Sequence, residues 1–137
     1  KESRGYYQGD VKVNESIVVL GGGDEQFLRL IAEKLQNSFG DKDACVSSEA
    51  FDAFYKIQTL EPKVAVLELI FPQWDWDGYL IFKLIKKDKR FKNMKTVLIT
   101  DTLDKKAQEM AKDEDINKVL FKVYNIDYIF EEIKKFI

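Results

Sequence analysis

Five short apolar runs, each separated from the next by a stretch with helical spacing, constrain this chain more than any other feature. They are Ile17-Val18-Val19-Leu20, Ala44-Cys45-Val46, Val64-Ala65-Val66-Leu67, Thr96-Val97-Leu98-Ile99 and Val119-Leu120-Phe121. Runs of three or four apolar residues bounded by turn signals read as strands, and the continuous ones as strands buried on both faces. Between them, Asp24 is placed to cap a helix with Phe27, Leu30, Ile31 and Leu35 on one face, and Gly40 stops it. Ser48 caps the next, with Phe51, Phe54 and Ile57 turned inward and Pro62 beyond its end. A third helix, from about Tyr79 to Lys87, is apolar almost all round, more than one core face requires. A weaker one covers Leu103 to Lys112, and Asn125 caps the last, striped by Ile126, Ile129, Phe130, Ile133 and Phe136. Strand and helix alternating through short loops predict an α/β fold with a five-stranded parallel sheet between two helical layers. Working groups in such sheets gather at the carboxyl ends of the strands. Those ends are Gly21 to Asp24, Glu68, Thr100 and Lys122.

Composition narrows the function. The chain has 137 residues, enough for one domain with a proper core. Residues 1–14 are polar, carry Gly5 and Gly9, and read as a tail or linker ahead of a domain over 15–137. The chain does not open on Met, which suggests a trimmed chain or a piece of a longer protein. There is no histidine, which removes the usual general base, the usual zinc ligand and any Ser-His triad. The single cysteine, Cys45, permits no internal disulfide and fits a reducing, cytoplasmic setting; within its apolar run it reads as a buried, inert thiol. A formal charge of −2 provides no global field for nucleic acid or anionic lipid. The lysine-rich run from Lys86 to Lys95 reads as a solvated helix end, and no stretch approaches transmembrane length. Neither nucleic acid nor a membrane is expected as a partner.

The strand-end residues carry a resemblance. An apolar strand ending in an acid four residues before Pro72, a strand ending in Thr100 and a strand followed by Lys122 resemble the bacterial response-regulator receiver family from Ser16 to Ile137. The resemblance implies a flavodoxin-like sandwich of strand order 2-1-3-4-5, and places Glu68 at the phospho-acceptor position. Asp77-Gly78 is similar to the pair opening the family's third helix, displaced by an apparent two-residue insertion near Trp74 to Trp76. The departures weigh more. Where the family holds Mg²⁺ with two acids after the first strand, this chain has Gly22 and Gly23, which bring no oxygen ligand; Asp24 is one carboxylate at a shifted position. Glu68 is a methylene longer than the family's Asp, and in-line transfer tolerates little misplacement. Without a metal nothing neutralises charge on the phosphoryl oxygens. Val123 follows the lysine in place of the family's Pro, so a trans peptide is expected. Val119 replaces the aromatic that reports activation. What remains is a candidate Glu68–Lys122 ion pair, either a structural remnant or an imitation of the phosphorylated state that also reaches Thr100.

Two features compete with that reading. Gly21-Gly22-Gly23-Asp24 between a strand and a helix suggests a nucleotide or S-adenosyl loop, although Gln26 stands where a dinucleotide fingerprint needs its third glycine. The alternative is that small residues relax a turn vacated by a metal site. The aromatic loop Phe71, Trp74, Trp76, Tyr79, with Phe82 beyond it, is either a partner-binding surface or a plug folded into the vacated space. The expected function is therefore a pseudo-receiver that works by protein–protein contact in signal transduction. It is expected not to be an enzyme and to hold neither Mg²⁺ nor another cofactor. Its partner would be another signalling protein, a neighbouring domain of its own, or a second copy. A phosphorylatable receiver with unusual residues and a small-molecule sensor using the glycine loop stand as alternatives.

Overall fold

The computed structural model describes residues 14–40, 43–73, 76–101, 105–123 and 125–137. Strand and helix alternate as β1 (Asn14–Gly21), α1 (Glu25–Ser38), β2 (Asp43–Ser47), α2 (Ala50–Leu60), β3 (Pro62–Glu68), α3 (Gly78–Lys86), β4 (Lys95–Thr100), α4 (Lys105–Lys112), β5 (Lys118–Phe121) and α5 (Ile126–Lys134). The five strands form one parallel sheet in the order β2-β1-β3-β4-β5. The expected flavodoxin-like sandwich is the fold that forms. The strand order reverses between β1 and β3, so the crevice for a functional site opens there, at the carboxyl ends.

Side-chain alternation along the strands sorts the core into two halves. Val18, Leu20, Val64, Val66, Val97, Ile99 and Leu120 face α1 and α5, while Val19, Ala65, Leu67 and Leu98 face α2, α3 and α4. Both faces of the central strands are covered, which is why their sequences are apolar throughout rather than alternating.

The α5 stripe packs as expected, whereas α1 and α2 rotate differently from the expected stripes. On α1 the buried positions are Leu28, Ile31, Ala32 and Leu35, and Leu30 is exposed. On α2 the inward residues are Ala50, Ala53 and Ile57; Phe51 is largely exposed and Phe54 half-buried. Small residues let α2 lie close to the sheet, which pushes the bulky Phe51 outward. Ser48 does not cap α2: Glu49 holds the N-cap position without a side-chain bond, and Gln73 Oε1 accepts from the Ala50 N–H at 2.7 Å instead. Asp24, Asp77 and Asn125 do cap α1, α3 and α5, each accepting from a backbone N–H three residues on. On α3, Tyr79, Ile81, Phe82 and Ile85 are buried, and Leu80 and Leu84 are half-buried. Cys45 is half-buried, and burial pushes its thiol up. Glu61 ends α2 in the left-handed region at φ 48°, an unusual place for a residue with a side chain. No helix among the described residues is long and apolar enough to cross a membrane.

Thr96 begins the buried part of β4, and its Oγ1 has no hydrogen-bond partner among the described residues. A buried hydroxyl left unpaired costs about 1–3 kcal/mol, and valine has nearly the same shape. Thr96→Val is expected to raise stability by about 1 kcal/mol in urea denaturation. A loss of that size would show that the hydroxyl is paired in solution.

Candidate functional site

The carboxyl ends of β1, β3 and β4, with the residue after β5, converge on one open cleft of about 410 Å³. Gly23, Asp24, Glu68, Thr100 and Lys122 line it, with Ile70, Pro72 and Asp101 at its sides. Alternation gives Glu68 the same side of β3 as Val64 and Val66, toward α1. Lys122 shares the side of Leu120, so acid and ammonium approach from neighbouring parts of one face.

Glu68 is almost fully buried, 4% exposed, and every interaction it makes follows from that. Its Oε2 lies 2.7 Å from Lys122 Nζ, and its Oε1 accepts from the Asp24 backbone N–H at 2.9 Å. The same ammonium donates to Asp24 Oδ2 at 2.8 Å and sits 4.9 Å from the centre of the Phe27 ring. Asp24 Oδ1 meanwhile caps α1. Lys122 thus bridges two carboxylates: the expected Glu68–Lys122 pair forms, and Asp24 is its third member. Spacing gave one signal for Asp24, its capping position, but nothing in the sequence showed that its other oxygen reaches the lysine.

Electrostatics separate the two acids. Burial pushes the Glu68 carboxyl up, against hydrogen bonds from Lys122 and Asp24 that pull it down. Asp24 is held below its ordinary value by the hydrogen bond from Lys122, then by the Phe27 N–H. Burial works against the Lys122 charge, but bonds to Asp24 and Glu68 together hold the ammonium above its ordinary value. The oxygens that a hard cation would need are already turned to an ammonium, and Gly22 and Gly23 supply none. Among the described residues no group of three or more metal-ligating side chains converges.

The glycines have a reason of their own. A Cβ at Gly22 would lie 2.5 Å from Glu68 Cβ and Cγ and closer still to Oε1, so the glutamate side chain occupies the volume that any side chain at 22 would need. Gly78 is the matching constraint from the other side, where a Cβ would overlap the Glu68 carbonyl oxygen. The triplet is also not a phosphate cradle. The Gly22 N–H is given to Ser47 O at 3.0 Å, Gly23 to Ile70 O at 2.9 Å, and Asp24 to Glu68. A phosphate loop needs such amides free to point at its ligand.

Of the other anticipated residues, Thr100 is buried at the end of β4, and its carbonyl accepts the Lys122 N–H at 2.9 Å. Phe71, Tyr79 and Phe82 do not present the anticipated interaction surface. They are 6%, 8% and 2% exposed, because they pack into the core cluster that holds Ala53, Ile57 and Ile85. Trp76 is half-buried and meets the Phe54 ring edge-on at 5.8 Å, while Trp74 lies outside the described residues. The peptide bonds of the described residues, Lys122–Val123 included, are trans as expected.

No protein-family model and no curated protein matches the chain. Solved structures do. The signal receiver domain of a DNA-binding response regulator from Colwellia psychrerythraea superposes with a TM-score of 0.76 at 20% identity, covering 88% of this chain and 97% of that one. A CheY-like response regulator receiver domain protein from Methanospirillum hungatei gives 0.74 at 16% identity, over 89% and 93%. A DNA-binding response regulator of the LuxR family from Staphylococcus aureus gives 0.74 at 19%, over 88% and 98%. The structural neighbours are response-regulator receivers. At these identities the likeness is one of fold.

Overpacking a tight site costs about 1–3 kcal/mol. Gly22→Ala should therefore destabilise the protein by about that much, and by far less in a Glu68→Gly background, which removes the Cβ, Cγ and Oε1 that the new methyl would meet, a coupling of about 1 kcal/mol or more. Gly78→Ala, which presses on backbone, should cost the same in both. Equal costs for Gly22→Ala in the two backgrounds would remove the steric link.

A second test uses pH. Because the folded Glu68 pKa is raised above its ordinary 4.5, the folded state binds the extra proton, and this residue's contribution to stability falls as pH rises through that window. Asp24 acts oppositely, its contribution being present above 3.8 and lost as pH falls through its lowered value. The Lys122 contribution is lost only above 10.5. In urea titrations at stepped pH, Glu68→Gln should abolish the decline above pH 4.5 and keep the acid limb. Superimposable profiles would refute the assignment.

Proposed function

We propose that this chain is a receiver-like module that acts through protein–protein contact in signal transduction, without accepting phosphate and without Mg²⁺. One observation carries the reading: the Lys122 ammonium already occupies both carboxylates of the site, and Glu68 fills the space above Gly22. Phosphoryl transfer of the receiver kind needs an acceptor oxygen free for in-line approach and a cation on the transferred group. Here the acceptor position is buried and paired, and the cation beside it among the described residues is the Lys122 side chain. The receiver fold of the neighbours supports a signalling role. Its counterpart is another signalling protein or a neighbouring domain, in a cytoplasmic setting.

The pairing also favours the structural reading of the Glu68–Lys122 contact over an imitation of the phosphorylated state. Val119 is a half-buried aliphatic side chain on β5 and has no ring to swing toward Thr100. Incubation with acetyl phosphate and Mg²⁺ should leave the intact mass unchanged, and beryllofluoride with Mg²⁺ should not raise Tm. A phosphoryl adduct mapped to Glu68 or Asp24 would overturn the proposal in favour of an unusual but phosphorylatable receiver. A Tm rise with nucleotides or S-adenosyl compounds would instead favour a ligand sensor.

A further inference from the structure

The opposite end of the sheet carries a second feature. β4 begins at Lys95, so the connection from α3 into it lies at the amino ends of the strands, away from the cleft. This connection displays Lys87, Lys89, Lys92 and Lys95, all exposed and none with an ion-pair partner among the described residues. Asp88, the one acid in the run, is engaged by Arg90, which also reaches Glu61 at 3.3 Å. The turn is held in shape by a further cation. Lys86 is half-buried and donates to the carbonyls of Phe91 at 2.9 Å and Met94 at 3.0 Å. The fold thus gathers ammonium groups that repel one another and pins the turn that presents them. Asp115 on the turn into β5 offsets part of the charge around Lys86, while Lys95 adds to it.

We infer that this lysine-rich turn is a docking surface for an acidic protein segment. Three observations select that partner among polyanions. Phe91 and Phe82, the aromatic residues nearest the turn in sequence, are 1% and 2% exposed, so no ring is offered for base stacking. No large apolar residue between 83 and 95 is exposed to enter a bilayer. The chain as a whole is acidic at −2, which disfavours a long polyanion wrapping beyond the turn but not a short acidic segment. A cluster of unpaired charges of one sign supplies steering and partner choice through complementarity. This surface is separate from the cleft, and its role stands whether or not Glu68 accepts phosphate.

The test is fluorescence anisotropy with a labelled Glu/Asp-rich peptide, using a neutral Gln/Asn counterpart as reference. The acidic peptide should bind, and its affinity should fall about tenfold or more between about 50 and 200 mM salt. Replacing Lys87, Lys89, Lys92 and Lys95 together by Gln should abolish binding, while replacing all four by Arg should preserve it and shows that loss is not unfolding. Equal binding to the neutral peptide, no binding at low salt, or persistence in the Gln variant would each overturn the proposal. So would tighter binding to a single-stranded oligonucleotide or to anionic vesicles of phosphatidylserine and phosphatidylcholine.

Discussion

A carboxylate taken out of water must be given a partner, and Glu68 sets that requirement at the centre of this fold. It closes β3, the strand between the two halves of the sheet, and its needs are met from three separate elements. Lys122 comes from the turn after β5, the Asp24 amide from the start of α1, and open space from Gly22. Because parallel strands end on one level, these groups reach one another across a short distance without any loop bending far. Breaking such a pair by removing one partner is far more disruptive than never having built it. The buried acid therefore holds the first helix, the central strand and the last turn in one arrangement.

The two ends of the sheet then differ in character. At the carboxyl end, charges are paired with one another and the loop amides are consumed internally. At the amino end, ammonium groups remain available to solvent. A receiver-like scaffold whose cleft is satisfied from within has its free electrostatics elsewhere, and that asymmetry supports the proposed action through surface contact.

Much of this was legible in the sequence, and the misses have a common cause. Apolar runs separated by helical spacing specify the sheet, because burial on both faces leaves little choice of residue. The strand-end rule then picks out Glu68, Thr100 and Lys122 without any knowledge of side-chain positions. Helix faces were harder. Along α1, Phe27, Leu28, Leu30, Ile31, Ala32 and Leu35 form an apolar arc too broad to say which edge meets the sheet. Only packing selects Leu28 over Leu30. On α2, counting hydrophobicity favours Phe51 over Ala50 and Ala53, whereas close approach to the sheet demands the reverse. The aromatic loop misled for a similar reason. Phe71, Tyr79 and Phe82 fill interior space, and a sequence does not say how much space a neighbouring turn leaves.

The overlap between residue 68 and position 22 also works as a ratchet on sequence change. A side chain cannot enter at 22 while a glutamate fills the volume, and shortening the glutamate alone strands the Asp24 amide and half of the lysine's coordination. Each single step is uphill, and a side chain at 22 also needs room that the Cβ of residue 68 occupies, so both positions must change for it to enter. Substitutions at these positions should therefore travel as a pair, in any lineage or any library.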